Sequence, residues 1–335
     1  MTTKHILVVG AGAVGCFYAS KLDRTHAKVG LVCRSNYQAV HDEGVNLETH
    51  SFGNYHFQPD FVFPSTEAAK DTTWDYVVVA TKALSMDSNV AKFIAPVVQP
   101  STTIVLIQNG VEIEAPYRTY FPRTPIVSAV TVASLALTQP SCVVQYRWTR
   151  ISLGPYTDLQ GSTDTPEKHE LYTRARAGVQ DLVDLFTRGG IRDAEAYDAL
   201  GLQMVRWHKL CINASMNVSG VLAGNRGNAD MVQDPRLRAH IEACMHEVLD
   251  AAPKIFGQPL PDKFATPEAI LRSTERNVGS RSSMVQDWEA GRALELDAII
   301  GNAIRIGEKH GASMPRLQSM YALLRSAQEQ REKHT

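Results

Sequence analysis

The chain is expected to be an α/β protein with two parts, a parallel-sheet domain over residues 1–196 and an all-helical domain over residues 197–335. Three observations predict this. A glycine-rich turn, Gly10-Ala11-Gly12-Ala13-Val14-Gly15, directly follows the apolar run His5–Val9. Short β-rich runs then alternate with helical patterns through the first half. From Leu202 onward no convincing strand pattern remains, and helical periodicity takes over.

The first strand, turn and helix (Cys16–Leu22 carries the helical pattern) match the opening of a Rossmann-type dinucleotide-binding domain. Gly10 permits the tight turn, Gly12 lets backbone approach a pyrophosphate, and Gly15 lets the helix lie close on the strand. The helix start then offers amide N–H groups and the positive end of its dipole to phosphate. The second strand, Ala27–Cys33, ends at Arg34-Ser35-Asn36, with no acidic residue to accept from a ribose 2′-hydroxyl. Arg34 suits a 2′-phosphate, with Ser35 as a second donor, so the expected cofactor is NADPH/NADP rather than NAD.

Further strands are expected at Asp75–Ala80, Thr103–Ile107 and Ile126–Val130, with helical patterns at Ser88–Val98 and Val111–Tyr120 between them. Ala133–Leu137, Cys142–Tyr146 and Ile151–Gly154 read as an antiparallel extension, turning at Gln139-Pro140-Ser141. Thr157–Pro166 reads as a surface loop, Glu167–Thr187 as a helix and Ile191–Ala196 as a last strand. Helices follow at 202–219, 235–252, 266–276, 294–311 and 315–328.

Composition narrows the function classes. The 34 basic and 35 acidic residues nearly cancel, which gives no electrostatic case for nucleic acid or an anionic membrane. An apolar fraction of 44% suits a soluble globular protein with a full core, and no apolar run is long enough to span a bilayer. Five scattered cysteines and no signal-peptide pattern before the first strand lead us to expect a cytoplasmic protein without a disulfide framework. The eleven histidines form no ligand-spaced cluster, so no metal is expected. No interface patch is legible, and a homodimer is left open.

One helix carries the candidate chemistry. Lys209, Asn213 and Asn217 recur at i, i+4 and i+8 on one face. Asparagine is a poor helix-interior residue, so two in register with a lysine are expected where polar groups meet a ligand. A second segment runs Ser282-Ser283-Met284-Val285-Gln286-Asp287, then Gly291-Arg292-Ala293-Leu294-Glu295-Leu296-Asp297. Ser283 stands at capping-box spacing from Gln286, and Glu295 and Asp297 read as acids opening the next helix. In the first half, Lys82 and Asn109 follow consecutive strands, at the carboxyl ends where open α/β sheets bind ligands.

Together these motifs resemble the ketopantoate reductase (2-dehydropantoate 2-reductase) family over essentially the whole chain. The helical domain is then implied to be of the 6-phosphogluconate dehydrogenase C-terminal type. The resemblance implies NADPH reduction of a small 2-oxo acid, ketopantoate, to pantoate, within pantothenate and coenzyme A biosynthesis. It makes Lys209 the general acid, Asn213 and Asn217 ligands of the substrate hydroxyl end, Ser283 a carboxylate ligand, and Glu295 a catalytic-site residue that helps hold the substrate and order the site. Lys82 and Asn109 would line the nicotinamide side, and a further asparagine, Asn228 or Asn225, would touch substrate, all in a cleft between the domains. Ser141–Tyr146 lacks the proline-glycine turn and histidine common in relatives, and the chain has extra length around 46–74 and 157–166. Another 2-oxo acid or an imine as substrate, or a non-catalytic NADP sensor, therefore stay as alternatives.

Overall fold

A computed structural model describes residues 2–333. Contacts divide it into two compact units. The first holds the residues up to Lys82, Asp87–Gln108 and Ile113–Leu202. Among its described residues ten strands form one sheet: β1 (Lys4–Val9), β2 (Ala27–Val32), β3 (Val45–Thr49), β4 (Tyr55–Phe57), β5 (Phe61–Phe63), β6 (Tyr76–Val79), β7 (Thr103–Leu106), β8 (Ile126–Gln139), β9 (Cys142–Tyr156) and β10 (Ala194–Ala196). The order is β4-β3-β9-β8-β7-β6-β1-β2-β5, with β10 beside β9. Pairing from β5 through β2, β1, β6 and β7 to β8 is parallel. β1, β2, β6 and β7 each bury four successive residues, as strands covered on both faces must.

Three short helices, α1 (Ala13–Ser20), α2 (Tyr37–Glu43) and α3 (Ala115–Tyr120), link strands of this sheet. The long α4 (Pro166–Arg188) covers β8 and β9 with a stripe that includes Leu171, Ala175, Val179, Leu182 and Phe186. The expected helix at Ser88–Val98 is a 3-10 helix, Ser88–Val97.

Two expectations change. The short strands read at 126–154 are two long ones, β8 and β9, paired antiparallel as a hairpin. Register shifts between Val132 and Ser134 and between Leu137 and Gln139 break the alternation, so one bent strand reads as two in the sequence. Residues 46–74, where extra length is expected, contain β4, β5 and most of β3. These strands run to only three to five residues, too short to show a period.

The second unit comprises Gln203 onward together with two loops, Ala83–Met86 and Asn109–Glu112. It therefore starts at 203, later than the expected 197, one turn into helix α5 (Ala199–Ile212). Residues 197–202 stay with the sheet because Tyr197 N–H donates to the Leu153 carbonyl (2.8 Å) and Leu202 packs on Gly154. The helix expected at 202–219 is α5, a π-helical turn at Asn213–Asn217, then α6 (Val218–Leu222). Next come α7 (Asn228–Gln233), α8 (Pro235–Phe256), α9 (Pro267–Glu275) and α10 (Ser283–Glu289). A second π turn, Asp297–Gly301, precedes α11 (Asn302–Lys309) and α12 (Pro315–Glu332). Both π turns lie in stretches whose sequence reads as plain α-helix.

The glycine turn makes the first prediction. A methyl group on Gly15 would overlap the Gly10 carbonyl oxygen and press on Ala80, whereas one on Gly12 would meet nothing within 4 Å. Gly15→Ala should therefore destabilise the protein by about 1–3 kcal/mol through overpacking. Gly12→Ala should cost at most about 1 kcal/mol, as an altered helix cap. Thermal melts of the two variants check this, and equal melting temperatures would contradict the packing argument.

Candidate active site

The first unit builds the glycine turn. Gly10 holds φ +110°, and a Cβ there would lie 2.9 Å from Thr81 N, so only glycine fits. Gly10 N–H donates to the Val32 carbonyl (3.2 Å), tying the turn to the end of β2. Asn36 Nδ2 donates to the Ala11 carbonyl (2.9 Å) and to the Pro140 carbonyl (3.1 Å). This asparagine stands beside the Arg34-Ser35 pair, and its structural role was not visible in the sequence. Arg34, Ser35 and Lys82 are exposed. Helix α1 starts at Gly12 with no side chain capping its first amides. Open space at Gly12 and uncapped amides fit a pyrophosphate.

The second unit gathers the polar candidates of α5. Lys209 Nζ donates to Asn109 Oδ1 at 2.7 Å. Burial pushes the ammonium pKa down, to about 8; the nearby Arg206 guanidinium lowers it further, and the Glu295 carboxylate opposes both. Glu295 is buried and accepts a hydrogen bond from Ala83 N–H (2.8 Å). Asn109, expected at the nicotinamide side, thus groups with the helical unit and directly contacts Lys209.

Its loop is fixed by backbone. Arg206 Nη1 donates to the Gly110 carbonyl (2.9 Å), Val111 N–H to the Ala298 carbonyl (2.9 Å), and Asn302 Nδ2 to the Val111 carbonyl (2.8 Å). Gly110 holds φ +98°, and a Cβ there would overlap Ala298. Sequence reasoning missed Arg206 and Asn302. The signal for Arg206 was its i−3 position to Lys209, on the same helix face.

Asn213 and Asn217 are both buried within the first π turn, with Asn217 Nδ2 donating to Asn213 Oδ1 (3.4 Å). The two π turns pack against each other. A π turn widens the helix locally and re-aims its side chains, a feature frequent at functional sites.

Two readings of the second segment are corrected. The helix cap is Ser282, not Ser283: Ser282 is buried and its Oγ accepts from Val285 N–H (3.2 Å). Its extended backbone (φ −66°, ψ 153°) suits a cap, which leaves Ser283 as the exposed first residue of α10. Asp297 serves as more than a dipole-favouring acid. It binds Tyr321 Oη (2.8 Å), Arg305 Nη2 (3.1 Å) and Arg325 Nη1 (2.8 Å), clamping the second π turn. Helix α10 packs on the π turn that carries Asn213 and Asn217. Asn225, at φ +64°, and Asn228 each bury a side-chain oxygen that finds no hydrogen-bond partner.

A glycine-turn Rossmann sheet and a separate helical unit with a partly buried lysine define an NAD(P)-dependent oxidoreductase. The model for the ketopantoate reductase PanE/ApbA family matches residues 6–158, and that for the ketopantoate reductase PanE/ApbA C terminal matches residues 202–328. The chain belongs to this family. A 2-dehydropantoate 2-reductase of Nostoc sp. is 26% identical over 334 residues, covering 97% of this chain and 95% of that protein. The crystal structure of 2-dehydropantoate 2-reductase from Methylococcus capsulatus superposes with TM-score 0.81 at 29% identity, covering 98% of this chain and 97% of that one. A D-mandelate dehydrogenase solved with NADH and anilino(oxo)acetate shares the fold, with TM-score 0.77 at 19% identity over 98% of this chain and 99% of that one. Among the described residues no helix is long and apolar enough to cross a membrane.

The electrostatics of Lys209 give the second prediction. The side chain should be an ammonium below pH about 8 and an amine above it. Glu295→Gln removes the charge that favours the ammonium yet keeps an acceptor for Ala83, so the midpoint should move further down. Carbon NMR of the labelled lysine ε-methylene follows this titration, and an unchanged midpoint in the variant would contradict it.

Proposed function

We propose that this chain reduces 2-dehydropantoate (ketopantoate) to pantoate with NADPH, with Lys209 as the proton donor. The observation that carries the reading is the Lys209 ammonium, set 2.7 Å from Asn109 and held by burial near a pKa of about 8. A group with that pKa is charged at neutral pH and still gives up its proton readily.

The turn residues Gly10, Ala11, Gly12, Ala13, Val14 and Gly15 would hold the cofactor pyrophosphate, with Lys82 and Asn109 toward the nicotinamide. The D-mandelate dehydrogenase of the same fold was solved with NADH, so the fold alone does not select the cofactor. Selection lies at the end of β2. Arg34 and Ser35 are exposed there, and no carboxylate occurs from residue 33 to 41, which favours a 2′-phosphate. When bound, NADPH supplies the hydride that reduces the keto carbon.

The chain's own residues do the rest. Lys209 stabilises the negative charge that develops on the carbonyl oxygen and donates its proton there. Glu295 keeps Lys209 charged and fixes the Ala83 backbone. Asn213 and Asn217, paired to each other, would receive the substrate hydroxyl end. The exposed hydroxyl of Ser283 would take the carboxylate. The unpartnered oxygen of Asn228, or that of Asn225, would accept from a substrate hydroxyl.

Three outcomes test this reading. Lys209→Ala should lower kcat by about 10²–10⁴-fold, the usual weight of general acid catalysis, while NADPH affinity stays the same. The unaltered enzyme should hold its rate below pH about 8 and lose it above, because only the ammonium donates, and the variant should lack that limb. NADPH oxidation assayed with ketopantoate and a panel of other 2-oxo acids reads both rate and substrate choice; near-native kcat in a folded Lys209→Ala protein would remove the lysine from the mechanism. Arg34→Ala should weaken NADPH far more than NADH by calorimetry, and equal binding of the two by the unaltered protein would refute the cofactor assignment.

A further inference from the structure

Among the described residues no three His, Cys, Asp or Glu side chains gather as metal ligands. Once methionine is counted, one soft donor set does come together. His240 and Cys244 lie one turn apart on α8, with Cys244 Sγ 3.6 Å from His240 Nε2. Met320 of α12 brings its Sδ within 3.4 Å of the same nitrogen. Ser219 Oγ holds that thioether from α6, at 3.5 Å. One imidazole nitrogen facing two sulfurs makes poor hydrogen bonding. As spacings between a nitrogen and a sulfur ligand, these two distances are close to ideal. Metal–nitrogen bonds of about 2.0 Å and metal–sulfur bonds of about 2.3 Å, at about 120° to one another, put nitrogen and sulfur about 3.7 Å apart.

We propose that His240, Cys244 and Met320 form a three-coordinate site for a soft monovalent cation, Cu(I). Thiolate, thioether and imidazole are the donors that select Cu(I), whereas harder divalent ions prefer oxygen or a fourth ligand. Charge points the same way. As the Sγ–copper bond forms, the Cys244 thiol releases its proton to solvent, with no change of oxidation state, and Cu(I) with one thiolate is neutral. The charged groups packed beside the site are the Arg316 guanidinium and the buried Glu247 carboxylate, which pair with each other at 3.1 Å and so add no net charge.

Access exists as well. A cavity of about 640 Å³, lined in part by Ser219, Leu237, His240, Arg316 and Met320, opens onto two of the three donors. None of the three belongs to the reductase machinery proposed above, so this site stands or falls independently of it.

The test is an anaerobic titration of the reduced full-length protein with Cu(I), in competition with bathocuproine disulfonate. The unaltered protein should retain one Cu(I) per chain, and X-ray absorption should find one nitrogen and two sulfurs around it. Cys244→Ser should abolish retention. Met320→Leu, which preserves volume, should weaken it by more than about 100-fold, since loss of a ligand exceeds the 10–100-fold effect of an outer-shell partner. Cys211→Ser, at a buried thiol elsewhere in the unit, should leave it unchanged. Circular dichroism and reductase activity report that each variant is folded. Failure of the unaltered protein to retain copper, a copper shell without two sulfurs, or equal retention by Cys244→Ser and Met320→Leu would each overturn the proposal.

Discussion

The hydrogen bond from Lys209 Nζ to Asn109 Oδ1 is the contact on which the candidate site depends. An ammonium taken largely out of water is costly unless acceptors or opposite charge replace the lost hydration. Here Asn109 supplies the acceptor and Glu295 the charge, while Arg206 pulls in the opposite direction. The lysine remains an ammonium at neutral pH. That balance requires the loop after β7 to be seated with the helices of the second unit. The Gly110 conformation, the Val111–Ala298 backbone bond and the Asn302 side chain all serve to seat it.

The two π turns belong to the same design. A π turn forgoes regular α-helical hydrogen bonding and is retained where the surroundings over-determine it. The first carries Asn213 and Asn217. The second accepts the Asn109 loop through Ala298 and is clamped from outside by Asp297, which binds Tyr321, Arg305 and Arg325. Asp297 thus holds the turn that holds the loop that positions Asn109. Its carboxyl sits below the usual carboxylate range because hydrogen bonds from Tyr321 and Arg305 and nearby arginine charge outweigh the penalty of burial.

Family membership fixes the reaction class more firmly than the substrate. The matched segments span both halves of the chain, yet the related enzymes quoted share about a quarter of their residues with it. Residues 46–74 and 141–146, where the sequence was expected to depart from the family pattern, supply most of β3, all of β4 and β5 and part of the β8–β9 hairpin, all within the sheet unit. The Lys209 face, by contrast, lies in the helical unit and carries the lysine and asparagines on which the proposed proton transfer rests.

What the sequence determined by itself was whatever local chemistry dictates. Gly10, Gly12 and Gly15 announce the dinucleotide turn: Gly10 holds a backbone that only glycine adopts freely, Gly15 has no room for a methyl group, and Gly12 leaves open space. The apolar runs of β1, β6 and β7 announce a buried parallel sheet, and the i, i+4, i+8 spacing puts Lys209, Asn213 and Asn217 on one face. Tertiary structure decided what depends on partners far away in the chain. The strands β4 and β5 are too short to carry a period, and bulges hide the continuity of β8 and β9. The π turns form in stretches whose sequence is ordinary α-helix. The choice of Ser282 over Ser283 as cap rests on backbone angles that two adjacent serines do not distinguish. The pKa of Lys209 could not be read from spacing at all, because burial and the charges of Arg206 and Glu295 exist only once residues nearly a hundred positions apart have packed together.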